Sequence, residues 1–282
     1  MHPGLNLINL KFFCDAAACE SVSEAAKSNF VTQSAISQGI QKLEKAIGAQ
    51  LTTHQRHRFK LTDDGYLVLA KAQAIFKVLR EMQEDVSANA QVVQGQLHLA
   101  CPPSMAMPFI LPTLKKVKTS YPLVSVHFRL GNIDVILGHL KSRRIDFGIV
   151  LDSPDFDMYE KHSLYTGEFQ VYTKKGKISD GVLVDRFHGL NVDKLKENYR
   201  RQYSQELLLT QELDSWDIVA RFVENNMGCG FFPDYLLERN QHPGLKPVTP
   251  TIEAIPYNIV AIYPKGDKLS RQSLAFLEIF RN

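Results

Sequence analysis

Residues 63–93 contain no proline, and their apolar side chains recur at near-heptad spacing. The seam consists of Val68, Ala72, Ile75, Leu79, Met82, Val86 and Val93, with Asn89 as its polar member. This pattern predicts one long helix that cannot fold back on itself. Either the helix packs on the body of the protein, or it pairs with a copy of itself as a coiled coil. The narrow seam with charged flanks favours pairing.

The predicted long helix divides the chain into two parts of different character. With 282 residues, 44% of them hydrophobic, the chain can bury a large core in about two domains. We predict an N-terminal unit over residues 1–62, a linker helix over 63–94 and an α/β body over 95–282. Within this body, residues 95–161 and 263–282 are expected to form a first lobe, and residues 162–262 a second.

Three short helices and a hairpin are predicted before the long helix. We expect Ser23 to cap the second helix, Thr32 to cap the third, and Gly48 to end it. The third helix has an apolar stripe at helical spacing, formed by Ile36, Ile40, Leu43 and Ile47. Its opposite face is rich in Gln and Ser. Residues 51–62 follow as a basic, two-stranded wing.

Positive charge is concentrated in this N-terminal region, although the net charge of the whole chain is only +3. The segment 25–61 contains Lys27, Lys42, Lys45, Arg56, Arg58 and Lys60 against Glu44 alone, with His54 and His57 besides. Such a local excess suits a polyanion such as DNA. A solvated basic face is the alternative.

Beyond Gly95 the pattern changes to strands that alternate with helices. Strand–helix–strand order with short loops predicts parallel β-α-β units. One helix is expected from Ser104 to about Ser120, interrupted near its start by Pro108 and Pro112. A late strand at 258–264 is expected to return towards the first lobe.

Several motifs between Leu10 and Gly65 resemble those of the LysR-type transcriptional regulators. These are "L..F", "S.SEAA", "TQSAIS..I..LE...G..L" and "LT..G". The resemblance covers essentially the whole chain, and it is looser in the C-terminal part. It implies a winged helix-turn-helix, a linker helix that dimerises, and a two-lobed α/β effector domain of the periplasmic-binding-protein type.

The resemblance also implies the partners of the chain. These are double-stranded promoter DNA, a second copy of the chain through the linker helix, often within a tetramer, a small-molecule effector, and RNA polymerase. No catalytic residue, metal or other cofactor is expected. The N-terminus lacks the features of a secretory signal, and no apolar run has the length of a membrane span, so we expect a cytoplasmic protein.

DNA contacts are predicted on the outward face of the third helix and on the wing. Gln presents a donor and an acceptor that match the major-groove edge of adenine, and Ser bonds to base edges or phosphates. The candidates for reading bases are Gln33, Ser34, Ser37, Gln38 and Gln41. The candidates for contacting phosphates are Thr32, Lys42, Lys45, Arg56 and Arg58.

The wing departs from the family pattern, which has Phe after Leu51 and Arg two residues later. This chain has Thr52 and His54 instead. We therefore expect the wing to grip the DNA backbone through Arg56 and Arg58.

An effector site is predicted at the carboxyl ends of the strands, between the lobes. The first lobe offers Pro103, Ser104, Met105, Gly131, Asn132, Leu151 and Asp152, and the second offers Thr210 and Phe231. By resemblance, Ser104 and Asn132 stand where the family holds its effector. A helix N-terminus at Ser104 favours an anion such as a carboxylate. No Arg falls in this set, so a strongly charged ligand is not supported. The alternative is that Ser104 only caps its helix. No family match extends over 172–206, so the type of effector is not predicted.

Three other functions compete with a ligand-responsive regulator. An enzyme is disfavoured because the sequence lacks the nucleophile-elbow, zinc-protease, P-loop and dinucleotide motifs. A plain solute-binding protein is disfavoured by the basic N-terminal unit. A redox-sensing regulator acting through Cys101 and Cys229 is the third. The four cysteines show no metal spacing, and we interpret them as reduced, mostly buried thiols.

Overall fold

The computed structural model divides the chain into two compact units. The first holds the residues up to Val92 together with Gly138–Arg144, and the second holds Val93–Leu137 together with Ile145–Asn282. The structure describes residues 5–55, 58–87, 92–175, 178, 181–185, 189–238, 242 and 244–281.

The first unit begins with three helices around a small apolar core. In chain order they are α1 (Leu7–Cys19), α2 (Val22–Ser28) and α3 (Gln33–Ile47). Ile36, Ile40 and Leu43 of α3 are almost fully buried against Leu10 and Phe13 of α1. Each such side chain stabilises the fold by about 1.5–3 kcal/mol relative to an exposed one. The predicted apolar stripe therefore holds α3 in its domain.

Both ends of α3 are capped as predicted. The side chain of Thr32 accepts a hydrogen bond from the backbone N–H of Ala35 at 3.2 Å. Gly48 adopts the left-handed conformation with φ +80°, and its N–H donates to the Glu44 carbonyl at 2.8 Å. The predicted cap of α2 was wrong. Ser21 caps that helix by accepting from the N–H of Glu24, and Ser23 lies inside it.

The predicted wing is present and leads into the linker helix. Its strands, β1 (Thr52–Gln55) and β2 (Arg58–Leu61), pair antiparallel with Thr52 opposite Leu61. Helix α4 (Asp63–Ser87) follows, and the Thr62 hydroxyl accepts from the N–H of Gly65 at 2.9 Å. The predicted C-terminal end of this helix was wrong. Val93 is not helical, because the chain there leads into a strand that starts at Gly95. Residue 89 lies outside the described residues.

Helix α4 packs on the body of its unit at its start and leaves apolar residues exposed further along. Leu69 and Ala72 are buried, so the first turns pack on the core of the same unit. Further along, Ile75, Val78 and Met82 are 40%, 61% and 55% exposed. These three residues share one helix face, since their spacing is three and four residues. We call them the exposed stripe of α4.

The second unit is built on one nine-stranded sheet, within the described residues. Its strands are β3 (Gly95–Cys101), β4 (Val124–Leu130), β5 (Phe147–Leu151), β6 (Tyr159–Thr173), β7 (Val182–Asp185), β8 (Leu209–Leu213), β9 (Cys229–Pro233), β10 (Lys246–Pro247) and β11 (Ile255–Pro264). The order is β4-β3-β5-β11-β6-β9-β7-β8, and β10 pairs with β6. The groups β4-β3-β5 and β9-β7-β8 are parallel, as predicted from the strand–helix alternation.

Two long antiparallel strands join these parallel groups. Strand β11 pairs with β5 on one side and with β6 on the other, which confirms that the late strand returns towards the first lobe. The register of β6 and β11 shifts once. Ile259 pairs with Tyr165 and Val260 with Ser163, so Leu164 has no partner in β11. This is a β-bulge, which increases local strand twist.

Helices lie between or after these strands along the chain. They are α5 (Pro103–Met105), a π-helical segment (Ala106–Ile110), α6 (Leu111–Ser120), α7 (Ile133–Lys141), α8 (Gly189–Tyr203), α9 (Trp216–Glu224), α10 (Tyr235–Glu238) and α11 (Arg271–Arg281). Helix α7 crosses from the second unit into the first at Gly138. The π segment contains Pro108. A proline removes one backbone donor, and the wider turn accommodates it without ending the helix. No helix within the described ranges combines the length and apolar character that crossing a membrane requires.

Candidate nucleic-acid interface and effector site

The outward face of α3 is polar and free of large apolar groups. Gln33, Ser34, Gln38 and Gln41 are exposed, and Ser37 is half-buried. They lie opposite the buried stripe of the same helix. Because that stripe faces the core, these polar side chains face solvent. Gln38 donates a hydrogen bond from Nε2 to the Ser34 hydroxyl at 3.3 Å. This contact is long and exposed, so both side chains remain available to a ligand.

Candidate phosphate contacts border this polar face. Thr32 is exposed at the N-terminus of α3, where backbone N–H groups favour an anion. Lys42 and Lys45 are exposed towards the other end of the helix. Arg56 lies outside the described residues, and Arg58 is placed by its backbone as the first residue of β2. The polar face thus has a potential phosphate contact near each end.

One carboxylate ties the wing to α3. Oε1 of Glu44 accepts hydrogen bonds from the backbone N–H groups of Leu51 and Thr52, at 2.8 and 3.0 Å. It also accepts from the Thr52 hydroxyl at 3.2 Å. Thr52 is buried, and its hydroxyl requires such a partner. The departure from the family pattern at Thr52 therefore adds a hydrogen bond that a Phe side chain lacks.

The effector candidates of the first lobe meet at one edge of the sheet. Because β4, β3 and β5 are adjacent and parallel, their carboxyl ends lie side by side. Gly131, which follows β4, donates its N–H to the carbonyl of Cys101 at the end of β3 at 3.2 Å. The structure thus brings together the segments after these three strands.

The members of this set differ in exposure. Met105 is fully buried and Leu151 is 8% exposed, so both belong to the apolar core. Pro103 is exposed, and Ser104 and Gly131 are half-buried. The more accessible members are therefore those nearest the turns.

Two further polar candidates already have partners within the chain. Asn132 is exposed, and its side chain caps α7 by accepting from the N–H of Val135 at 3.1 Å. Asp152 pairs with the Lys161 ammonium at 2.8 Å. Lys161 also pairs with Asp157 at 2.8 Å, so one ammonium is shared by two carboxylates, and the remaining negative charge disfavours an anion beside Asp152.

The second-lobe candidates lie apart from each other in the sheet. Thr210 is exposed near the start of β8, the edge strand. Phe231 is 1% exposed in β9 and packs against Phe169 with ring centroids 5.3 Å apart. Phe231 is therefore enclosed by the core, and any effector reaches it only after rearrangement of that core.

An aromatic cluster beside Ser104 escaped the sequence analysis. The hydroxyl of Tyr235 donates to the Ser104 hydroxyl at 3.3 Å, which joins α10 to the start of α5. The Tyr235 ring meets Phe109 edge-on at 5.0 Å between centroids. Tyr257 donates to Asp234 at 2.5 Å, and Asp234 also accepts from the N–H of Glu168 at 2.8 Å. These residues are far apart in sequence, and no local pattern indicates that they meet.

Burial controls the ionisation of this cluster. It raises the pKa of Tyr235, which is fully buried. It also raises the pKa of Tyr257, and the hydrogen bond to Asp234 acts in the same direction. Both phenols therefore stay neutral at physiological pH and act as hydrogen-bond donors.

The two cysteines of the redox alternative are both inaccessible. Cys101 and Cys229 are buried and have no exposed surface. Burial raises the pKa of Cys101 to about 12. A thiol in this state is a poor nucleophile towards peroxide, because the thiolate is the reactive form.

Comparison with known proteins agrees with this architecture. Residues 7–66 match the model of the bacterial regulatory helix-turn-helix protein, lysR family, and residues 90–282 match the LysR substrate binding domain. The HTH-type transcriptional regulator YoaU of Bacillus subtilis is 22% identical over 254 residues, which cover 86% of this chain and 87% of that relative.

Solved structures share the fold at low sequence identity. A cysteine-substituted, full-length OxyR from Pseudomonas aeruginosa has a TM-score of 0.75 at 15% identity, covering 99% of this chain and 96% of that chain. Full-length CbnR complexed with its target DNA has a TM-score of 0.63 at 19% identity, covering 98% and 99%. Because the two family models together span nearly all of the sequence, the chain belongs to the LysR family of bacterial helix-turn-helix, DNA-binding transcriptional regulators.

Proposed function

We propose that this regulator reads promoter DNA with the outward face of α3 and responds to a small anionic or polar effector in its second unit. One observation carries the DNA-reading part. Helix α3 buries Ile36, Ile40 and Leu43 while it leaves Gln33, Gln38 and Gln41 exposed. In helix-turn-helix proteins the corresponding helix lies in the major groove. Within this proposal the chain acts in the cytoplasm, where the chromosome lies, and has no catalytic role.

Base reading and phosphate contact have different experimental signatures. We expect Gln38→Ala to weaken binding to the preferred duplex by roughly 1–3 kcal/mol and to relax sequence preference. Lys45→Ala is expected to weaken binding to all duplexes alike and to flatten the slope of log K against log salt by about one. Gel-shift titrations on a duplex selected from a random pool, and on the unselected pool, separate the two effects.

The matched control is Glu278→Ala, a change at an exposed position on α11, far along the chain from α3. It should alter neither the affinity nor the salt slope. Equal losses for Gln38→Ala on the selected and unselected DNA would remove Gln38 from the base-reading set.

The effector part rests on the edge formed by the carboxyl ends of β3, β4 and β5. Ser104 at a helix N-terminus and Asn132 at a helix cap both offer polar groups there. The Ser104 hydroxyl accepts from Tyr235, so its own proton remains available to a ligand. The proposed ligand is a small carboxylate or a similarly polar metabolite.

A thermal-shift screen with a panel of small carboxylates tests this site. The ligand-induced rise in melting temperature should vanish in a Ser104→Ala, Asn132→Ala double variant. Loss of the Asn132 cap also lowers the baseline stability, typically by about 1 kcal/mol, so only the shift is diagnostic. Ser270→Ala removes the cap of α11 elsewhere and should keep the full shift. An equal shift in wild type and double variant would show that the ligand binds at another place.

A further inference from the structure

Phe30 lies on the surface of the first unit with almost no packing. Its side chain is 96% exposed, and it does not belong to the apolar core of that unit. A single exposed apolar residue is ordinary on protein surfaces. This one is unusual because its backbone conformation is also unfavourable.

The backbone at Phe30 is left-handed, with φ +55°. The surrounding hydrogen bonds explain why. The N–H of Phe30 donates to the Lys27 carbonyl at 3.2 Å, and the N–H of Val31 donates to the Ala26 carbonyl at 3.1 Å. This pair of bonds forms a Schellman motif that ends α2, and its left-handed position is usually glycine. An aromatic residue there is strained and gains no packing in the isolated unit.

The position of Phe30 in the fold indicates where its ring can be used. It lies in the turn between α2 and α3, two residues before the cap Thr32. Gln33 and Ser34, the first residues of α3, are exposed as well. The N-terminal residues of a recognition helix are those that contact base edges. Phe30 therefore adjoins the exposed residues of α3 that the proposed function assigns to DNA reading.

We propose that Phe30 contacts the C5-methyl group of a thymine in the major groove. Thymine is the one base with a methyl group on that edge, and apolar side chains recognise it. The contact supplies the packing that the ring lacks in the free protein. It complements the Gln and Ser side chains of α3, which offer hydrogen bonds and no apolar surface. This proposal rests on the proposed DNA-reading role of α3.

Replacement of thymine by deoxyuridine tests the contact directly, because it removes only the methyl group. The probe is a duplex selected from a random pool with the full-length wild-type protein, in which each thymine is replaced singly. We expect at least one replacement to weaken wild-type binding about fourfold, the effect of one buried methyl group. The same replacement should leave the affinity of a Phe30→Asn variant unchanged, since Asn tolerates the left-handed conformation without offering the ring.

Two controls separate this contact from folding effects. Phe30→Gly should raise the melting temperature by relief of strain and still lose the methyl dependence. Glu20→Asn changes another exposed left-handed residue, with φ +49° at the end of α1. This variant should keep the methyl dependence of the wild type. Equal sensitivity to deoxyuridine in wild type and Phe30→Asn would overturn the proposal. A second outcome would also overturn it. If Phe30→Asn lost the same affinity on selected and unselected DNA, the ring would contact the DNA backbone and not a base.

The Gln38→Ala titration distinguishes failure of this proposal from failure of the DNA-reading role. If Gln38→Ala relaxes sequence preference while Phe30→Asn does not alter methyl dependence, only the Phe30 contact is wrong. If neither variant alters preference, or if the wild type selects no sequence, the role of α3 itself is wrong, and the Phe30 contact with it.

Discussion

Within α3, the residues that pack in the core differ from those that face solvent. Ile36, Ile40 and Leu43 are buried, whereas Gln38 and Gln41 face solvent. The scarcity of charge on the outward face has a physical use. A charged side chain attracts or repels every phosphate nearby, while a neutral amide discriminates between base edges by its donor and acceptor pattern.

The cysteines provide a test of the redox alternative at the scale of single residues. Burial raises the pKa of Cys14 and of Cys101 to about 12. At pH 8 both are therefore neutral thiols. We expect iodoacetamide at pH 8 to label the exposed Cys19 and to spare Cys101 and Cys229 in the folded protein. Peptide mass spectrometry gives the site of labelling.

Unfolding in guanidinium provides the control for this labelling, because all four cysteines should then react. Rapid labelling of Cys101 in the folded protein would favour a redox sensor instead. So would labelling of Cys101 that disappears after brief treatment with peroxide.

Local signals at the residue scale were predictable, and contacts between distant residues were not. Thr32 and Gly48 cap α3 through bonds to residues three or four positions away, so the sequence around them is sufficient. Ser21 and Ser23 are both good caps, and tertiary packing of α2 decides between them. The contact between Tyr235 and Ser104 joins residues 131 positions apart, and no local pattern encodes it.

At the scale of elements, Gly65 sets how closely α4 approaches the wing. A Cβ atom at this position would lie within van der Waals overlap of the Leu51 carbonyl oxygen, a backbone atom that cannot move aside alone. We expect Gly65→Ala to destabilise the first unit by about 1–3 kcal/mol, despite the higher helix propensity of alanine. Differential scanning calorimetry of the full chain measures the change in melting temperature.

Gly138 in α7 is the matched control, because it is also helical and the described residues leave open space where its Cβ atom would lie. Gly138→Ala should be neutral or stabilising by up to about 1 kcal/mol. An unchanged melting temperature for Gly65→Ala would mean that the helix shifts freely against the wing.

Most elements were predictable from periodicity, and the exceptions have physical causes. Strand β8 carries exposed polar residues on the sheet edge, and β10 has only two residues, so neither shows a hydrophobic pattern. The first half of β6 shows no strand pattern in the sequence, because polar residues such as Lys161 and His162 interrupt its alternation. The π segment around Pro108 depends on the packing of its neighbours, which a propensity rule does not include.

For the whole molecule, the exposed stripe of α4 points to self-association. Ile75, Val78 and Met82 leave a row of apolar surface that this unit does not cover. We expect a second copy of α4 to cover it, as the seam of a coiled coil does. Val78→Asp should shift the protein towards the monomer in light scattering coupled to size exclusion, because it places a charge in the exposed stripe of α4.

Leu208→Asp is the control for this experiment, since Leu208 is 58% exposed and lies in the second unit. It should leave the mass unchanged. If Val78→Asp also keeps the wild-type mass, the stripe of α4 does not hold the copies together.

The bulge at Leu164 has a mechanical consequence for the second unit. The two parallel groups of strands are joined through β6 and β11, whose pairing shifts register at this single point along their ten paired positions. At a bulge the extra residue is unpaired, the strand bends and its local right-handed twist increases. Any movement of one strand group against the other would therefore pass through the bend at Leu164. The sheet thus bends between its two parallel groups, at a point where the strands remain paired on either side.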